Sequence, residues 1–148
     1  MSPKKSVGGE RKKEAVMDLD TVDIYLDGNC HLLSYFLSRR IENSTIYVME
    51  ETVAQERGGS SSTAIVHSMV KFGERYWDIL GPTSDIPDYI ASWKRRNGLG
   101  SSHSFALRPA RGINELRLKD YHIADVRAAE DLIPTYANLF GLELSSSQ

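Results

Sequence analysis

The run from Ser62 to Phe72, followed by Gly73-Glu74 and then Arg75 to Leu80, constrains the fold more than any other part of this 148-residue chain. Ser62 to Phe72 alternates apolar and other residues with the two-residue period of a half-buried strand. Gly73-Glu74 places glycine first in a two-residue connection, the shortest link between antiparallel strands. The pattern predicts a hairpin, and so short a turn also sets its register. Phe72 then faces Arg75, Lys71 faces Tyr76, and Met69 faces Asp78. Cross-strand partners share a face, as do alternate residues along a strand. His67 and Asp78 become diagonal neighbours on one face, within reach of a carboxylate–imidazole contact. A slip of one residue would put them on opposite faces.

The elements around this hairpin follow from local signals. Thr21 to Leu26 reads as a short extended run closed by the turn Asp27-Gly28-Asn29. A helix is predicted next, with Asn29 as N-cap and Cys30 in its first turn. Cys30, Leu33, Leu37 and Ile41 form its apolar face. Thr45 to Glu50 suits a strand, and Gln55 to Ser62 is a mobile loop by composition. Gly81-Pro82 ends the hairpin. A helix capped by Ser84 or Asp85 carries Ile86, Tyr89, Ile90 and Trp93 on one face and Lys94-Arg95-Arg96 at its C-terminal end, where cations complement the dipole. Asn97-Gly98 stops it. Strands are expected within Phe105 to Arg108 and Leu116 to Ile123. A last helix is expected over Glu130 to Phe140, with Pro134 near its first turn. The class is α+β. Residues 1–18 read as a charged, disordered tail, 19–144 as a single domain, and 145–148 as a frayed end.

Composition narrows the function classes. The 41% hydrophobic and 26% charged residues are the balance of a globular domain with a packed core. A formal charge of −2 argues against a dedicated nucleic-acid binder, which needs a basic excess. No apolar run approaches a membrane span, and the N-terminus carries no apolar leader segment. The lone cysteine has no partner for an internal disulfide and fits a reducing compartment. A cytoplasmic location is expected, with delivery into another cell left open.

The chemistry lies in Cys30, His67 and Asp78. A helix N-terminus presents unpaired backbone N–H groups and a partial positive charge. At Cys30 both would favour thiolate, the reactive form. The same N–H groups could meet an oxyanion on an attacked carbonyl. On the hairpin, Asp78 is within reach to orient the His67 imidazole and stabilise its protonated form.

Gly28-Asn29-Cys30 opening a helix, a histidine on a strand and an aspartate on the next strand resemble the Cys-His-Asp group of papain-like and transglutaminase-like enzymes. The text from Gly28 to Leu37 and the G-x-x-Y-x-D run of Gly73 to Asp78 also resemble compact bacterial and phage members of that set. The resemblance covers roughly residues 26 to 81. It implies a helix carrying the cysteine packed on a small antiparallel sheet. Cys30 is then the nucleophile, His67 the general base and acid, and Asp78 the residue that orients His67. It implies a thioester intermediate, a protein or peptide substrate, and no cofactor or metal. Among compact relatives, glutamine deamidation is the leading activity; peptide cleavage or acyl transfer would use the same residues. No glutamine precedes Cys30 to complete an oxyanion hole in the papain manner. His31 stands where relatives usually carry tryptophan. Asp27, Asn29 and His31 are therefore the candidates for oxyanion or substrate contacts.

Each residue also has a plain structural reading. A lone cysteine on an apolar stripe packs in cores. His67 could be a satisfied core histidine, and Asp78 a carboxylate beside a turn. His31 is expected on the helix face away from the core, near Tyr35. Trp77 and Trp93 read as packing residues. The competing function is a non-catalytic binding module or inhibitor built on the same fold.

Overall fold

The computed structural model describes residues 17–54 and 60–140. The tail expected over residues 1–18 lies outside them except for Met17 and Asp18, as do most of the loop after residue 54 and the end at 145–148. Helices α1 (Leu19–Asp27) and α2 (Cys30–Arg40) open the described chain. Strands β1 (Thr45–Val53), β2 (Ser62–Phe72), β3 (Arg75–Asp78) and β4 (Gly81–Thr83) follow. Then come helix α3 (Ile86–Asn97), strand β5 (His103–Pro109), two 3₁₀ turns (Ile113–Leu116 and Leu118–Asp120), helix α4 (Ile123–Thr135) and a last 3₁₀ turn (Ala137–Phe140). The five strands form one antiparallel sheet in the order β4-β3-β2-β1-β5. The class is α+β, and α2 packs on β2 and on α4.

The hairpin register is the expected one: Phe72 pairs with Arg75, Lys71 with Tyr76 and Val70 with Trp77. Both turn residues have positive φ, 59° at Gly73 and 70° at Glu74. That double left-handed geometry matches strand twist, and glycine adopts it without a Cβ clash while glutamate does not. On the far side of β2 the pairing with β1 shifts: Met49 faces His67 and Glu50 faces Ile65, leaving Val66 as a bulge. A bulge sharpens local twist and re-aims the residues beside it. Here it immediately precedes His67 and Ser68, consecutive residues that both engage the beginning of α2.

Four local expectations are corrected. Thr21 to Leu26 is part of α1, because Asp18 caps the helix by accepting from the Thr21 N–H at 2.8 Å and Tyr25 and Leu26 bury themselves in the core. β-branched residues favour strands only weakly when a helical stripe can be packed. Gly81-Pro82 does not end the sheet; Gly81 to Thr83 pairs with β3 as an edge strand, where a proline costs no inner ladder bond. Leu116 to Ile123 forms 3₁₀ turns and the start of α4, since only Leu116 of the run is buried and Arg117 sits left-handed at φ 54°. The final helix begins seven residues earlier than expected, at Ile123, capped by His122 accepting from the Ala124 N–H at 3.2 Å. Pro134 falls in its last turn, and the helix stops at Thr135.

The core joins the helices to the sheet through Leu33, Leu37, Met49, Met69, Val70, Trp93, Ile133 and Phe140, among others. Phe72 stacks on Trp77 with ring centroids 4.9 Å apart, so Trp77 is a packing residue as expected. Helix α3 is capped as predicted by Asp85, which accepts from the Asp88 N–H at 3.0 Å, and closed at Gly98 in the left-handed conformation.

Glu74 carries the one avoidable backbone cost in the hairpin. Glu74→Asn is expected to raise unfolding stability by about 0.5 kcal/mol, because asparagine tolerates the left-handed region. Urea denaturation should show a higher midpoint at unchanged slope.

Candidate active site

Cys30 is the first residue of α2 and is only 2% exposed. Asn29 occupies the N-cap position but its side chain makes no capping bond; its carbonyl accepts from the Leu32 and Leu33 N–H groups at 3.1 and 3.2 Å. The backbone N–H groups of Cys30 and His31 have no acceptor among the described residues. Unpaired donors in the first turn are what a helix N-terminus leaves.

His67 and Asp78 meet as the register predicts. His67 Nε2 lies 2.8 Å from Asp78 Oδ2, with both side chains buried. Asp78 is held from two further directions. Its Oδ1 accepts from the Leu80 N–H at 2.8 Å, an aspartate turn that ends β3, and its Oδ2 accepts from the Tyr89 hydroxyl. Tyr89 Oη is also 3.0 Å from His67 Nε2, and Trp93 from the next turn of α3 lies against the imidazole with ring centroids 4.7 Å apart. With Nε2 committed to Asp78, Nδ1 is the ring nitrogen left free. Nδ1 is buried and has no hydrogen-bond partner among the described residues.

Electrostatics couples the cysteine to the histidine. Burial pushes the Cys30 thiol up, but the hydrogen bond with His31 and the nearby, charged His67 outweigh it and bring it down to about 6. Burial pushes His67 down, but Asp78 and Cys30 outweigh it and hold the imidazole up at about 9. Between those limits the pair is thiolate and imidazolium, the state in which a cysteine attacks. Burial, followed by the charge on Asp78, pushes the Tyr89 phenol far above its ordinary range, so it remains a donor to Asp78.

His31 is not on the outer face. Its Nδ1 lies 2.8 Å from Ser68 Oγ and 3.7 Å from Cys30 Sγ, and Ser68 in turn donates to Ser34 Oγ at 2.8 Å. Ser34, His67, Ser68 and Asp78 are the buried polar or charged residues among those described, and all four belong to this one cluster around Cys30. Asp27 is exposed at the end of α1, and neither its side chain nor that of Asn29 hydrogen-bonds to the cluster. Ser34, Ser68 and Tyr89 were not singled out for the site by the sequence. Two serines and a tyrosine at helical or strand spacing carry no signal until the fold brings them together. Among the described residues no group of three or more His, Cys, Asp or Glu side chains is arranged to hold a metal ion.

The segment from Ala110 to His122 crosses this site. Its first 3₁₀ turn packs on α2 and is tied down by Glu115, which Arg108 binds through two bonds of 3.0 and 2.7 Å. Beyond it, the Tyr121 hydroxyl donates to the Gly28 carbonyl at 2.5 Å. Burial and then the charge on Cys30 push the Tyr121 phenol up to about 12. Compared with known proteins, the chain matches no family model, no curated protein and no solved structure.

Tyr121→Phe removes the bond that pins this strap to the α1–α2 turn. Alkylation of Cys30 by iodoacetamide is expected to accelerate several-fold, with its pH midpoint shifted by less than about half a unit. An unchanged rate would mean that Tyr121 does not limit access.

Proposed function

We propose that the protein is a cysteine-nucleophile enzyme of papain-like architecture, acting on an amide or acyl carbonyl through a thioester. The observation that carries this reading is the buried polar cluster. Burying a carboxylate, an imidazole and two hydroxyls costs free energy that apolar residues of similar volume would not. All of it is gathered around one cysteine at a helix N-terminus. Perturbed, mutually coupled groups of this kind mark functional sites more often than structural ones.

The reaction follows from the positions. The Cys30 thiolate attacks the carbonyl carbon, and the carbonyl electron pair moves to oxygen, where the Cys30 and His31 amides can receive it. His67 gives its Nδ1 proton to the leaving amine as the C–N bond breaks, leaving a thioester. Water then loses a proton to His67 and attacks the thioester, and Cys30 departs as thiolate. Asp78 keeps the imidazole oriented and offsets its charge throughout. With a glutamine side chain the products are glutamate and ammonia, and deamidation of a protein or peptide substrate is the activity we favour, on the resemblance to compact deamidases. The described helices include none long and apolar enough to cross a membrane.

The near-complete burial of Cys30 favours a second reading, a binding module in which the cysteine is core packing. The two readings part on thiol titration. In the folded protein the pair holds one proton, on His67, between about pH 6 and 9. Unfolded, between the ordinary histidine and thiol values, it also holds one proton, on the thiol. The stability gained as pH rises, from the lowered Cys30, is therefore offset by the stability lost from the raised His67. Stability from this pair is expected to stay flat between about pH 6.5 and 8.5. The iodoacetamide rate, in contrast, should climb with a midpoint near 6. In His67→Ala that midpoint should move up toward the ordinary thiol range. Labelling only on unfolding, indifferent to His67, would establish the binding module instead. For the favoured substrate, ammonia release from a glutamine-bearing protein should fall by about 1,000-fold or more in Cys30→Ala. Peptide fragments without ammonia would show a peptidase.

A further inference from the structure

The site contains a second imidazole that the Cys30, His67 and Asp78 arrangement does not use. His31 Nδ1 lies 3.7 Å from Cys30 Sγ and 2.8 Å from Ser68 Oγ. Ser68 has one hydroxyl proton and commits it to Ser34 Oγ at 2.8 Å. Its oxygen can therefore meet His31 only as an acceptor, so Nδ1 carries the hydrogen. That hydrogen is shared between Ser68 and the sulfur. Both serines are buried, Ser34 at 2% and Ser68 at 1% exposure. A buried serine pair is a poor packing choice, and its effect here is to hold one N–H at the nucleophile.

We propose that His31 is a catalytic donor whose Nδ1–H stabilises the Cys30 thiolate and then follows the negative charge onto the carbonyl oxygen, completing an oxyanion hole with the first-turn amides. This rests on the cysteine-enzyme reading above. As the S–C bond forms, sulfur gives up its charge and the carbonyl oxygen gains it, two bonds away. The His31 hydrogen exchanges one acceptor for the other, and no proton is transferred. The proton for the leaving amine still comes from His67. Because Ser68 anchors Nδ1, the donor stays in place while the charge moves, and a preorganised donor stabilises a transition state without reorganisation. His31 thereby fills the position left open by the missing glutamine before Cys30.

The test compares two reactions of the whole protein at about pH 8, above the Cys30 midpoint and below that of His67. Acylation by 4-nitrophenyl acetate passes through an oxyanion; alkylation by iodoacetamide displaces iodide from saturated carbon and forms none. Their ratio cancels any change in thiolate fraction. His31→Ala is expected to lower the acylation-to-alkylation ratio by about 100-fold. His31→Asn, whose amide nitrogen can take the place of Nδ1, should recover most of it. Thermal melts of both variants verify the fold, and His31→Asn carries the comparison if His31→Ala does not fold. A ratio unchanged in His31→Ala, or in His31→Asn equal to a fully impaired value, overturns the donor role. Wild-type protein that is not alkylated while folded overturns the cysteine-enzyme reading itself, and the two failures are told apart by that control.

Discussion

The contact between His67 and Asp78 is the interaction on which the rest of the site depends. An aspartate taken out of water must recover its lost hydration from the protein. Asp78 does so through three donors: the His67 ring, the Tyr89 hydroxyl and the Leu80 backbone N–H. They come from β2, from α3 and from the turn that ends β3. The requirement to satisfy one carboxylate thus ties together three parts of the fold. It also decides which ring nitrogen of His67 is left free, and so gives the imidazole a direction as well as a location.

Around that pair the electrostatics is reciprocal. His67 and His31 lower the thiol while the thiolate, with Asp78, raises His67, so each group is held in its charged form by the other. The helix N-terminus adds donors without adding side chains. The cost is borne by packing: α3 supplies Tyr89 and Trp93 as a wall on one side of His67, and the strap ending at Tyr121 is tied to the Gly28 carbonyl, two residues before Cys30. An enclosed site strengthens these interactions through low local dielectric.

The core of this arrangement was legible in the sequence because it depends on periods and turns. A two-residue turn sets a register, a register sets faces, and His67 and Asp78 follow; the glycine turn before Cys30 sets the start of a helix. The signals that failed were those where local propensity competes with packing. Thr21 to Leu26 is rich in strand formers but becomes helix because Tyr25 and Leu26 find a core to bury in. Leu116 to Ile123 has the apolar spacing of a strand but breaks at Arg117, and only the packing of the Ile113–Leu116 turn on α2 explains why Leu116 alone turns inward.

By itself, the sequence determined the α+β class, the hairpin and its register, and the placing of Cys30, His67 and Asp78 on a helix start and two neighbouring strands. These are properties of segments a dozen residues long, governed by backbone sterics and side-chain periodicity. Only the tertiary structure decided that His31 turns inward to Ser68, that Tyr89 shares the carboxylate with His67, and that Tyr121 reaches Gly28 across 93 residues. Those contacts join side chains far apart in the chain. Their partners are chosen by the bulge at Val66, by how α2 lies on β2, and by the demand of each buried polar atom for a hydrogen bond, none of which a local pattern encodes.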